Sequence, residues 1–112
     1  MQLVINKDKY TRARGGSAKL YQIFCIKCNH EICIYQKDGP GNLLRMYLDK
    51  FVAPHNLVEQ FKTIKTKKEM QGLKCFSCNE LIGVPMVYEK ENRLAFRLIP
   101  NKTIKKEFIN DK

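Results

Sequence analysis

From Ala18 onward the apolar residues fall in short runs with the alternation of β-strands, separated by turn residues. Leu20-Tyr21-Gln22-Ile23-Phe24 leads into Cys25, and Ile32-Cys33-Ile34-Tyr35 leaves the segment that follows, so the two runs predict a hairpin. Asp38-Gly39-Pro40-Gly41-Asn42 is a strong turn signal. After it, Leu44 to Val52 reads as one strand, with Leu44, Met46 and Leu48 on a core face and Arg45, Tyr47 and Asp49 on a polar one. Pro54 ends that strand. Asn56-Leu57-Val58-Glu59 then resembles a capping box with Asn56 as the cap, and Leu57, Val58, Phe61 and Ile64 line one face of a short helix, although Phe61 to Thr66 also has the composition of a strand. Val84 to Tyr88 and Leu94 to Ile99 predict a second hairpin around Glu89-Lys90-Glu91-Asn92, with Pro85 placing its strand at an edge or at a strand start. Thr103 to Ile109 adds a last strand. The fold class expected is mainly β, with at most one short helix.

The cysteines change this picture most. Cys25-Ile26-Lys27-Cys28-Asn29 and Cys75-Phe76-Ser77-Cys78-Asn79 repeat one pattern. Two residues between cysteines let both thiolates face one metal, and two such turns supply a closed tetrahedral set. The expected cofactor is one structural Zn²⁺ held by Cys25, Cys28, Cys75 and Cys78, clasping the two hairpins in a zinc-ribbon-like or β-tent arrangement. Asn after each second cysteine fits a turn that needs left-handed backbone. A redox pair would come singly and lead into a helix, and a disulfide framework would want a leader and an even cysteine count, whereas this chain has five. Cys33 reads as a packed thiol, and His30 as a neighbour of the site or a surface group.

With 112 residues the chain suits one domain at 18–109, preceded by an N-terminal strand (Met1 to Ile5) or basic arm within 1–17 and followed by a tail at 110–112. No apolar run reaches membrane-spanning length, so a soluble, cytoplasmic protein without a membrane partner is expected. Twenty-one Lys and Arg against eleven Asp and Glu give a formal net charge of +10. Four thiolates and one Zn²⁺ would reduce it to about +8, which still favours polyanionic partners. Two basic segments stand out, Arg12-Ala13-Arg14-Gly15-Gly16, whose glycines suit an anion-cradling turn, and Lys62, Lys65, Lys67 and Lys68. Because each precedes a cysteine pair, a shared metal is expected to bring them together, with Tyr10, Tyr21 and Tyr47 as candidates for stacking bases. The partner expected is RNA or DNA, with a protein as the alternative. No serine or carboxylate falls in a catalytic motif.

Two cysteine pairs about fifty residues apart, each opening a β segment, resemble the β-tent zinc folds, a superfamily that includes Yippee-like proteins, methionine-R-sulfoxide reductases, formaldehyde-activating enzymes and the ligand-binding domain of cereblon. The resemblance spans roughly Leu20 to Ile99 and implies the fold and a zinc held by Cys25, Cys28, Cys75 and Cys78. The reductases' nucleophile lies in a strand after the second pair, where this chain has no cysteine, and the tryptophan cage of the cereblon pocket has no counterpart in a chain without Trp. A non-enzymatic binding module follows as the expectation, with a small-ligand or enzyme domain as the alternative.

Overall fold

The computed structural model describes residues 3–109. Two four-stranded antiparallel sheets are built from strands β1 (Ala18–Cys25), β2 (Glu31–Asp38), β3 (Arg45–Tyr47), β4 (Phe51–Ala53), β5 (Leu73–Lys74), β6 (Leu81–Tyr88), β7 (Arg93–Leu98) and β8 (Thr103–Glu107), with helices α1 (Lys9–Ala13) and α2 (His55–Lys62). The first sheet runs β4-β2-β1-β8 and the second β3-β7-β6-β5. This is the mainly β architecture that the alternation predicts, with both hairpins in place. The last strand returns to the first sheet, where β8 pairs with β1 and sets Lys105 opposite Ile23.

Leu44 to Val52 is not one strand. It splits at a 3₁₀ turn, Leu48–Lys50, so that β3 belongs to the second sheet and β4 to the first. The crossing is fixed by polar contacts that alternation cannot reveal. The Tyr47 amide donates to the buried Tyr35 hydroxyl at 2.7 Å, and the turn swings Lys50 inward, where its ammonium lies 2.9 Å from Asp8 and 3.0 Å from Asp38. Leu44 consequently lies 62% exposed and Tyr47 is buried, the reverse of the expected faces, while Met46 and Leu48 are core as expected.

Among the described residues the N-terminal segment forms no strand, and its basic stretch is folded into a helix. Residues 3–8 are extended coil leading to α1, and Met1 and Gln2 lie outside the described residues. Asp8 caps α1 by accepting from the amides of Tyr10 and Thr11, and the Thr11 hydroxyl donates to Asp38 at 2.9 Å. With Lys50 bridging Asp8 and Asp38, this turn of helix is tied to the end of β2 remote from the cysteines. The expected tail at 110–112 lies outside the described residues.

α2 begins one residue before the expected cap. Pro54 occupies the cap position without a side-chain bond, its carbonyl accepting from the Leu57 and Val58 amides. The helix buries Leu57 and Phe61, and the Phe61 ring stands 4.8 Å from Phe51 and 5.5 Å from Phe96. Through these rings it covers the join between the sheets. Pro85 lies in an inner strand, yet β5 pairs only at Gly83 and Leu81, so no partner strand on that side needs the amide that proline lacks. Among the described residues, no helix is long and apolar enough to cross a membrane.

Lys50 is 4% exposed between two carboxylates, so replacing it by Met should leave Asp8 and Asp38 facing each other and destabilise the fold by about 3–5 kcal/mol in urea unfolding. Burial alone would push the Asp8 carboxyl up, but the Lys50 ammonium and the Thr11 amide overcome it and hold the carboxyl at about 2. A depressed carboxyl stabilises the native state above its unfolded pKa of about 4 and loses that contribution as pH falls toward 2. Asp8→Asn should therefore flatten the stability profile between about pH 4 and 2, and an unchanged profile would remove Asp8 from this role.

Candidate metal centre and basic surface

Each cysteine pair forms the tip of a hairpin, and the two tips have the same backbone. In the first, the Cys25 amide donates to the His30 carbonyl at 2.9 Å and the Asn29 amide to the Cys25 carbonyl at 2.8 Å. The second repeats this with Cys75 to Glu80 and Asn79 to Cys75, both at 2.9 Å. Asn29 and Asn79 have φ of 62° and 65°, the left-handed conformation their positions predict. Local sequence alone therefore folds each tip so that its two sulfurs face the same way.

The sheets bring the tips together. Cys25 Sγ lies 3.6 Å from Cys78 Sγ, Cys28 Sγ lies 3.5 Å from Cys75 Sγ, and all four sulfurs fall within 4.8 Å of one another. A tetrahedron with metal–sulfur bonds of about 2.3 Å has edges of about 3.8 Å, so the four sulfurs fit one metal ion. Cys25 and Cys75 are buried, whereas Cys28 and Cys78 reach toward the surface. The proton affinities are uneven across the cluster. Against a desolvation that raises it, the His30 amide and the neighbouring thiols hold Cys28 at about 7. At Cys78 the Glu80 amide acts downward, but desolvation and the other sulfurs push the thiol up to about 12. Cys33 is 2% exposed outside the cluster, and burial pushes its thiol well up, consistent with a packed residue. His30 contributes its carbonyl to the first tip and leaves its side chain at the surface.

Ion pairs also join the tips. Glu80 reaches Lys27 of the other tip at 3.4 Å and pairs with Lys102, and the Lys102 carbonyl accepts from the Ile26 amide at 3.0 Å. Lys102, with Lys27, holds the Glu80 carboxyl below its ordinary range.

The two basic segments border one pocket, since Tyr10 of α1 lines it with Lys62 and Ile64 at the end of α2, but this pocket is not at the cysteine cluster. β1 runs about 23 Å from Ala18 to Cys25, with α1 before its start and the cysteines at its end, so Arg12 and Arg14 lie remote from the metal centre. Arg14 is moreover committed within the fold. Its guanidinium donates to both carboxylate oxygens of Glu91 at 2.9 Å and to the Tyr47 hydroxyl at 3.1 Å, which keeps it firmly charged and occupied. Beside it the Arg93 guanidinium lies 3.7 Å from the Tyr10 ring centre and 3.8 Å from that of Tyr47, while bonding Asp49 and Glu91. Tyr10 and Tyr47 therefore sandwich an internal arginine and are not free to stack on bases. Tyr21 carries the Lys105 ammonium 4.8 Å from its ring centre and remains partly exposed.

Arg12 is exposed and donates only to the Lys7 carbonyl at 3.4 Å. Lys62 pairs with Glu59 at 3.0 Å, Lys65 donates to the Lys62 carbonyl at 3.2 Å, and Lys67 and Lys68 project from a 3₁₀ turn, Lys67–Glu69, into solvent. Thr66 and Glu69 form a capping box on that turn, and their three-residue spacing is the signal in the sequence that marks it. Two cations outside both basic segments, Lys37 and Arg45, line a cleft of about 360 Å³ between the sheets; strand alternation places Arg45 with Tyr47 on a polar face, and Lys37 lies at the nearby turn.

Removing the metal should release the pairing of the tips, because four thiols at these separations then have no common counter-ion. Cys75→Ser, or a strong chelator, should broaden or abolish cooperative thermal unfolding, since metal ligation in small domains contributes on the order of 10 kcal/mol. Retention of the native melting transition in both experiments would contradict a structural metal. No protein-family model, no curated protein and no solved structure matches this chain.

Proposed function

We propose that the chain is a structural-zinc module that binds nucleic acid through its phosphates and carries out no catalysis. Zinc is the metal that suits an all-thiolate tetrahedral set with no open position. Two antiparallel sheets meeting at such an apex also support the β-tent reading of the fold. The observation that carries the nucleic-acid reading is uncompensated charge: Arg12, Lys65, Lys67, Lys68, Lys105 and Lys106 are exposed and make no ion pair among the described residues. A surface of this kind attracts polyanions and repels basic proteins. Phosphate contacts made by such residues position a nucleic acid without reading its sequence.

A second reading, docking on a protein, is favoured by the tips themselves, where Ile26 is 48% and Phe76 60% exposed. The two are separated by salt. Binding of a fluorescent single-stranded RNA and of a DNA duplex should weaken steeply as salt rises, and changing Arg12, Lys65, Lys67 and Lys68 together to Gln should reduce the slope of log K against log salt by roughly 0.7–0.9 for each phosphate no longer neutralised. An unchanged slope, or no binding at low salt, leaves the charge as a solubilising surface and favours the protein partner. For the metal, elemental analysis should give one zinc per chain, and X-ray absorption a sulfur shell near about 2.3 Å. Another metal, or oxygen in the shell, would refute the assignment.

A further inference from the structure

Of the three buried cations among the described residues, two have carboxylate partners. Lys50 has Asp8 and Asp38, and Arg93 has Asp49 and Glu91. Lys37, only 8% exposed, donates to the Gly39 carbonyl at 2.7 Å and has no carboxylate partner among the described residues. The neighbouring acid cannot serve it. In a strand Asp38 points to the opposite face, where its carboxylate is taken by Lys50, Thr11 and Gln36. Burial, and then the nearby Lys105, lower the affinity of Lys37 for its proton by more than Asp38 raises it, so an anion is the missing partner that would favour its charged form.

Lys37 lines the cleft of about 360 Å³ together with Tyr35, Arg45, Tyr47 and Asp38, whose carboxylate is neutralised by Lys50. Arg45 donates through Nε to the Tyr47 hydroxyl at 3.2 Å and lies 4.3 Å from the Tyr88 ring centre, again with no carboxylate. The third cation of the cleft, Arg14, is neutralised by Glu91. Pro40 and Asn42 of the Gly39-Pro40-Gly41-Asn42 turn, with Leu43, line the rim of the cleft. The turn's two glycines have φ of 76° and 101°, and the amides of Gly41, Asn42 and Leu43 find no acceptor in the described residues. At Gly39 a side chain is excluded twice, because its first carbon would also fall 2.8 Å from Arg14 Cβ. Successive free amides beside two unpaired cations are the chemistry of an anion cradle.

We propose that this cleft seats a phosphoryl group, with Lys37 and Arg45 as its charge partners and the Asn42 and Leu43 amides as further donors. The assignment rests on this geometry alone, and where the phosphoryl group belongs to a nucleic acid it deepens the reading given above. A cleft of this volume lies at the small end of ligand pockets, suited to a phosphate with at most a compact substituent, or to one linkage of a strand crossing its mouth.

The test is amide NMR on the full metal-loaded chain, titrated with inorganic phosphate, with adenosine monophosphate and with a short oligothymidylate, up to about 10 mM for the small ligands. Shifts should concentrate at residues 37–45, and Lys37→Gln and Arg45→Gln should each weaken binding at least about tenfold, equivalent to about 1.4 kcal/mol, while Lys74→Gln, exposed on β5, leaves it unchanged. Arg45 is only half-buried, so Arg45→Gln decides alone if Lys37→Gln fails to fold. Binding of the small phosphates without the oligonucleotide supports the cleft and removes the nucleic-acid reading. An oligonucleotide that binds with shifts confined to α2 and Lys67–Lys68, insensitive to both variants, overturns the cleft and leaves nucleic-acid binding intact. No localised shift with any of the three overturns the proposal.

Discussion

Four cysteine sulfurs within 4.8 Å of one another form the constraint on which the two sheets depend. Cys25 and Cys28 belong to a hairpin of the first sheet and Cys75 and Cys78 to one of the second, so the cluster is where the halves of the fold are joined. Thiols packed at this distance repel once they ionise, and a divalent cation turns that repulsion into attraction. The core begins directly behind them, since Cys25 and Cys75 are buried beside Ile23, Ile32, Leu73 and Ile82. A metal held there would couple ligation to apolar packing, aligning the sheets whose inner faces fill the core.

The opposite end of the sheets has no such cluster and is held by buried cations instead. Lys50 joins α1 to β2 through two acids, and Arg93 joins β7 to α1 and β3 through two acids and two tyrosine rings. Removing one partner from such a group leaves a buried charge uncompensated, a larger loss than the pair's own net contribution. This accounts for Arg14, which lies against the same cluster and shares Glu91 with Arg93. A residue that closes the end of a fold is poorly placed to exchange its partner for a ligand.

What was legible in the sequence is what is local. The cysteine tips, the left-handed asparagines, the two hairpins and the Leu57–Phe61 face of α2 each arise within short stretches of chain, and each formed where its pattern placed it. The break inside Leu44 to Val52 was not legible, because it depends on Tyr35 and on acids at 8 and 38. Nor was the fate of Arg14, whose partner Glu91 lies 77 residues away. Charge runs in a sequence show how many cations a chain has, but only the fold shows which of them are already paired.

That distinction sets Lys37 apart from the exposed lysines. A cation in solvent needs no protein partner, so its lack of one says little about function. A lysine withdrawn from water loses its hydration, at a cost of about several kcal/mol after relaxation unless acceptors replace it. Lys50 shows that this chain can supply them. At Lys37 the β1–β2 ladder sets Lys19 directly opposite, while strand alternation turns Asp38 to the other face. The same register that builds the hairpin below the metal therefore places an unneutralised ammonium at the mouth of the cleft, beside Arg45 from the other sheet.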